Sequence, residues 1–164
     1  MGFILLALSK YCLSQLFTQT QVYICNYMAR ILSIDYGSKR TGIAVTDPLK
    51  IIANGLAGIH TKDLENFLKD YFKNETVELV IIGHPLNWDN SETHATPLVQ
   101  AFINRFKKVF PTIPILKVDE RNTSKMAVES MVQSGMKKKD RQNKKMVDEI
   151  AATIILQQYL HSNT

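Results

Sequence analysis

Between residues 31 and 59 three strand-like segments follow one another so closely that only antiparallel pairing can join them. That restriction limits the fold more than any other feature of the chain. The segments 31–36, 41–46 and 51–59 are apolar-rich, and they are linked by Gly37, Ser38, Lys39 and Arg40, then by Asp47 and Pro48. Such links are turns. A parallel pairing needs a crossover of roughly a dozen residues or more, so the three segments are expected to form an antiparallel meander. Gly55 and Gly58 read as breaks in the third segment.

After residue 60 the period changes. Leu64, Phe67, Leu68, Tyr71 and Phe72 recur at the spacing of an amphipathic helix, with Thr61 as its expected N-cap. Residues 77–82 form a continuous apolar run ended by Gly83, as in a central strand buried on both faces. Thr96 and Pro97 read as a cap and a first-turn proline, followed by Leu98, Phe102, Phe106 and Val109 on one helical face. Residues 113–118 are expected as another strand, and a helix opens at Ser124, runs through Met131 and Val132, and closes at Gly135. A charge run follows at 137–145, then a final helix with Val147, Ile150, Ala151, Ile154 and Ile155 on its apolar face. The element order β-β-β-α-β-α-β-α-α implies an α/β fold: a mixed five-stranded sheet, antiparallel meander plus parallel strands, flanked by helices.

The first 27 residues differ from the rest, with Lys10 as their one charged side chain and no acid. Their longest apolar run is far short of the roughly 20 residues that span a bilayer, and the basic start of a secretory signal is missing. The expectation is that Met28 is the biological start and that 1–27 are translated upstream sequence or a poorly ordered extension; a weak signal or anchor segment is the alternative. Residues 28–164 then form one domain. Both cysteines, Cys12 and Cys25, precede residue 28, so the main body has neither a disulfide framework nor a cysteine zinc site. This fits a reducing, cytoplasmic compartment, with no membrane partner. Lys and Arg outnumber Asp and Glu by 20 to 15, a formal charge of +5 that is compatible with a polyanionic partner.

Three acids stand out. Asp35 ends the otherwise apolar first strand, where an ionised carboxylate is costly unless paired or bound to metal. Glu120 follows the last strand in the same way. If both strands reach one edge of the sheet, both carboxylates face the cleft where open α/β sheets bind ligands. In the last helix, at roughly 100° per residue, Asp148 falls on the rim of the apolar face while Glu149 falls in solvent. Three clustered carboxylates ask for a counter-ion, and hard oxygen ligands favour Mg²⁺ or Mn²⁺. Two such ions about 3.5–4 Å apart would hold an attacking water and the leaving oxygen of a phosphodiester in line. Lys39, Arg40 and Arg121 could hold phosphate oxygens. Each acid also has a plain reading: Asp35 before a turn, Glu120 at a strand end, Asp148 in the first turn of a helix.

The segments RILSIDYGSKRTGIAVTD (30–47), VIIGHPLNWDNSE (80–92), VDERNTSKMA (118–127) and KKMVDEIAATIILQQYL (144–160) resemble the YqgF family. Its members are named as Holliday junction resolvases and as pre-16S ribosomal RNA nucleases, and the resemblance runs from about Ala29 to Leu160. It implies a ribonuclease-H-like nuclease with an acidic triad binding divalent metal, the triad landing on Asp35, Glu120 and Asp148. The family's basic pair lands on Lys39 and Arg40. Thr46-Asp47 stands where the family commonly has Ser-Asp, and Asn122-Thr123 where it often has Leu-Thr; neither removes a triad member. The implied partners are a precursor ribosomal RNA, maturation of the 5′ end of pre-16S rRNA being favoured, or branched DNA. The protein would be a monomer or a homodimer.

Other residues carry two readings each. Asn87 could contact a phosphate or cap its turn. His84 is read as a solvated or backbone-bonded loop histidine, and Trp88 as packing rather than base stacking. Lys137, Lys138 and Lys139 precede the helix bearing Asp148, which favours contact with backbone phosphates over a merely solvated loop. Two other functions are open: an actin-like ATPase, which would need a second Asp-x-Gly hairpin, and a nucleic-acid-binding module without catalysis.

Overall fold

A computed structural model describes residues 29–84, 93, 95–119 and 123–163; the leader at 1–27, together with Asn87, Trp88, Glu120 and Arg121, lies outside the described residues. The meander forms as its short links require: β1 (Arg30–Tyr36), β2 (Arg40–Thr46) and β3 (Ala53–His60) pair antiparallel in sequence. β4 (Val77–His84) and β5 (Ile115–Asp119) then add in parallel beyond β1, for the order β3-β2-β1-β4-β5. This is the mixed five-stranded sheet expected from the alternation of elements.

Strand residues alternate between two layers. On one face Leu32, Ile34, Ile43, Val80 and Ile82 pack against α1 (Leu64–Asn74) and α2 (Thr96–Val109), which contribute Leu64, Leu68, Val99, Phe102, Ile103 and Phe106. On the other, Ile31, Ala44, Ala53 and Ile81 meet Ala152, Ile155 and Leu156 of the long C-terminal helix. That helix, numbered α5 (Lys144–Ser162), is preceded by α3 (Thr123–Gln133), which packs beside it, and by a single helical turn, α4 (Lys138–Arg141). β4 is buried on both faces over Val80–Ile82, which explains its unbroken apolar run.

Several boundaries differ from expectation for identifiable reasons. β3 begins at Ala53, because Asp47 holds the preceding turn: its carboxylate accepts from the backbone N–H of Leu49, Ile51 and Ile52 at 3.1, 2.8 and 2.7 Å. Gly55 and Gly58 do not break β3; they lie within it, paired to β2. Thr61 is no helix cap. It opens a 3₁₀ turn, and its hydroxyl donates to the Gly37 carbonyl at 2.6 Å, tying the β1–β2 hairpin to the start of the helical layer. Thr96 is the first residue of α2 rather than its cap, and its hydroxyl accepts from the Thr93 N–H at 3.0 Å. The buried stripe of α2 is Val99, Phe102, Ile103 and Phe106, spaced i, i+3, i+4, i+7, which leaves Leu98 45% exposed. β5 starts after Pro114, whose carbonyl accepts from the Val80 N–H but which has no N–H of its own to give.

Candidate active site

Asp35 sits one residue before the end of β1, half-buried, directly opposite Gly42 on β2. Directly opposed residues of an antiparallel pair point to the same face of the sheet. For Asp35 that face is the α5 side, because Ile31 belongs to the layer beneath α5 while Leu32 and Ile34 belong to the opposite core.

Gly42 explains how α5 comes so near. A Cβ added there would meet the Asp148 carbonyl oxygen at 1.8 Å and its carbon at 2.2 Å. At Gly58, the cross-strand partner of Gly42, a Cβ would meet the Lys145 carbonyl oxygen at 2.2 Å. The backbone of α5 therefore lies on a floor of two glycines that no other residue type would permit. It carries Asp148 alongside the β1 position held by Asp35, although 113 residues separate the two in sequence (148 minus 35). Strand and helix thus bring these two positions to one face of the sheet.

A third side chain joins them. Arg40, the first residue of β2, donates from Nε to Asp148 Oδ2 at 2.8 Å, with side-chain exposures of 31% and 22%. Its backbone is fixed by the hairpin, since its carbonyl accepts from the Gly37 N–H at 3.0 Å. Lys39, at the tip of the same hairpin, is exposed, and its carbonyl accepts from the Thr61 N–H. The hairpin thus presents one cation to the carboxylate and one to solvent.

α5 is turned about its axis relative to expectation. Its fully buried residues are Ala151, Ala152, Ile155 and Leu156, while Val147, Ile150 and Ile154 are only half-buried. The turn brings Asp148 further toward the sheet than the rim of the apolar face. It also moves Glu149 out of the solvent expected for it: the Glu149 carboxylate lies over Gly55, where a Cβ would meet its Oε1 at 2.4 Å. No acid occupies the first turn of α5, so the plain reading of Asp148 as a dipole-complementing first-turn residue does not hold. The N-cap is Asn143, whose side chain accepts from the Lys145 N–H at 3.2 Å.

The other expected residues distribute as follows. His84, half-buried, ends β4 level with Asp119, the last residue of β5, at the sheet edge reached by Asp35. Glu120, Arg121 and Asn87 lie outside the described residues. Lys137, Lys138 and Lys139 are exposed on the turn leading into α5. Among the described residues no three His, Cys, Asp or Glu side chains are grouped to hold a metal ion, and the third expected carboxylate is not one of those described. The two that are described fit a hard divalent cation by donor type, being carboxylates on rigid elements at one sheet edge. The sequence reading missed Gly42 and Gly58. The available signal was two small residues expected on neighbouring strands, which mark a close backbone approach as readily as a break.

A family model described as "RuvX: Holliday junction resolvase" matches residues 29–162 of the chain. A protein of Christiangramia forsetii named "Putative pre-16S rRNA nuclease" is 55% identical over 134 residues, covering 82% of this chain and 99% of its own. One of the same name from Bacteroides thetaiotaomicron is 52% identical over 135 residues, covering 82% and 98%. A solved structure of T. thermophilus RuvC in complex with a Holliday junction substrate is similar at a TM-score of 0.49 and 14% identity, over 83% of this chain and 97% of that one.

Proposed function

Since the chain belongs to the RuvX family of Holliday junction resolvases, we propose that it is a metal-dependent endonuclease acting on structured nucleic acid. The favoured substrate is the 5′ end of a pre-16S rRNA, in keeping with the names of relatives more than 50% identical to it. Branched DNA is the second reading, favoured by the description of the family. The observation that carries the proposal is the junction of β1, β2 and α5, where Asp35 and Asp148 share one face of the sheet and Arg40 adjoins them.

In this proposal Asp35, Glu120 and Asp148 would hold Mg²⁺ or Mn²⁺. When bound, the divalent ions would supply Lewis-acid neutralisation of the charge that builds on the phosphate oxygens, with a two-ion arrangement as the expected form. The protein's own part is positioning. Asp35 is held by the β1–β2 ladder and Asp148 by the glycine contact, so neither carboxylate has to be ordered when substrate arrives. Lys39 and Arg40 would take phosphate oxygens beside the carboxylates, with Asn87 and Arg121 as further contacts. Lys137, Lys138 and Lys139 would hold the backbone further out, without regard to sequence. No described helix is long and apolar enough to cross a membrane, and the proposed place of work is the cytoplasm.

The test is cleavage of two labelled substrates, a pre-16S rRNA 5′ leader and a four-way DNA junction, with Mg²⁺, Mn²⁺ or chelator. The wild type should cut one of them only with metal, and Asp35→Asn should lose about 10²–10³-fold, as expected when a group stabilising the transition state is removed. Equal cutting by wild type and Asp35→Asn would refute the site. Tight binding with no cutting by either protein would mark a binding module instead.

A further inference from the structure

Arg40 lies between two roles. Its guanidinium forms an ion pair with Asp148. Its Nε takes Asp148 Oδ2 at 2.8 Å, the carboxylate that a divalent ion would need. The pair is nonetheless a displaceable one. Both side chains are partly exposed, at 31% and 22%, and ion pairs in such settings are weak and screened by salt. The backbone of Arg40 is held by Gly37 and by pairing with His60, so release involves the side chain alone. Its best alternative partner is a phosphate, which a guanidinium binds through two parallel hydrogen bonds.

We propose that Arg40 couples substrate to metal: without nucleic acid it occupies Asp148 and weakens metal binding, and a backbone phosphate draws it away and frees the carboxylate. This rests on the nuclease reading above, and it adds a direction to it. Metal and nucleic acid assist one another's binding through a single side chain, and by linkage the assistance is equal in both directions. The benefit is that an ion is held tightly only when there is a phosphodiester to cut.

The experiment is calorimetric titration of Mn²⁺ into the full chain, with and without a 2′-O-methyl RNA hairpin whose integrity after the titration is checked on a denaturing gel. Wild type, Arg40→Gln, Arg40→Lys and Asp148→Asn are compared, with circular dichroism melts to verify folding. In the absence of RNA, Arg40→Gln should bind Mn²⁺ about tenfold more tightly than wild type, the scale expected for removing a unit charge about 6 Å from a divalent ion under the screening of bulk water. Arg40→Lys, which keeps the charge but not the fork, should fall between them. Saturating hairpin should tighten Mn²⁺ binding to wild type and leave Arg40→Gln nearly unchanged. Equal Mn²⁺ affinity of wild type and folded Arg40→Gln, or a wild-type affinity indifferent to the hairpin, would overturn the coupling while leaving the metal site standing. Absence of Mn²⁺ binding by the wild type in both conditions, or undiminished binding by Asp148→Asn, would overturn the metal site and the coupling together.

Discussion

Gly42→Ala tests the contact on which the site depends. The added Cβ would sit 1.8 Å from the Asp148 carbonyl oxygen, 2.2 Å from its carbon and 3.0 Å from the Glu149 nitrogen. Ordinary non-bonded separation is about 3.5 Å, so α5 must retreat by roughly 1.5 Å or β2 must buckle. Overpacking usually costs about 1–3 kcal/mol, and here both partners are backbone, with no rotamer to absorb the strain. The expected loss is therefore about 3 kcal/mol, or roughly 10 °C in Tm for a domain of this size. Gly55→Ala is the matched control, because the atoms nearest its Cβ would be those of the Glu149 side chain, at 2.4 Å from Oε1 and 2.8 Å from Cγ, which can swing aside. It should cost under about 1 kcal/mol. Activity separates the two further, since a 1 Å displacement of a positioned group costs on the order of 10²-fold, and only Gly42→Ala displaces Asp148. Thermal melts and metal-dependent cleavage measured on both variants decide the matter. If Gly42→Ala melts within about 2 °C of wild type and cuts at the same rate, α5 does not rest on that glycine.

Two further outcomes are expected. Ser33 is fully buried and its Oγ has no hydrogen-bond partner among the described residues; Ser33→Ala should be neutral or stabilising by up to about 1 kcal/mol in urea unfolding, and a loss of that size would mean that the hydroxyl is bonded. The backbone N–H of Ile52, with those of Ile51 and Leu49, holds the Asp47 carboxyl below its ordinary value of 3.8, against a smaller opposing effect of burial. The unfolded chain therefore takes up this proton first, so the Asp47 contribution is full above about pH 4 and is lost as pH falls through the lower folded value. Between those limits the stability difference between wild type and Asp47→Asn should shrink with falling pH, and a constant difference would show that the turn does not depend on the charge.

What the sequence determined alone is local. Links of a few residues between strands at 31–59 admit only a meander, whatever the rest of the chain does. The switch from strand to helix period after residue 60 then demands parallel strands with helices between them. Short-range connectivity and periodicity decide both, and both are written in neighbouring residues. The acidic residues were legible for a related reason: a carboxylate at the end of an apolar strand is anomalous wherever the strand goes. What the tertiary structure alone decided is how α5 is turned and what it touches. Ala152 and Leu156 extend the apolar surface of the helix beyond the face formed by Val147, Ile150, Ala151, Ile154 and Ile155, so either side could be buried at similar gain. The choice was made by Gly42 and Gly58, the second of which looks like an interruption in one dimension, and which together act as a floor for a helix in three. The ion pair of Arg40 with Asp148 spans 108 positions of sequence, so neither residue carries any local sign of the other. Such a pair exists only because steric room on the sheet lets two backbones approach, and that room is a property of the assembled layers.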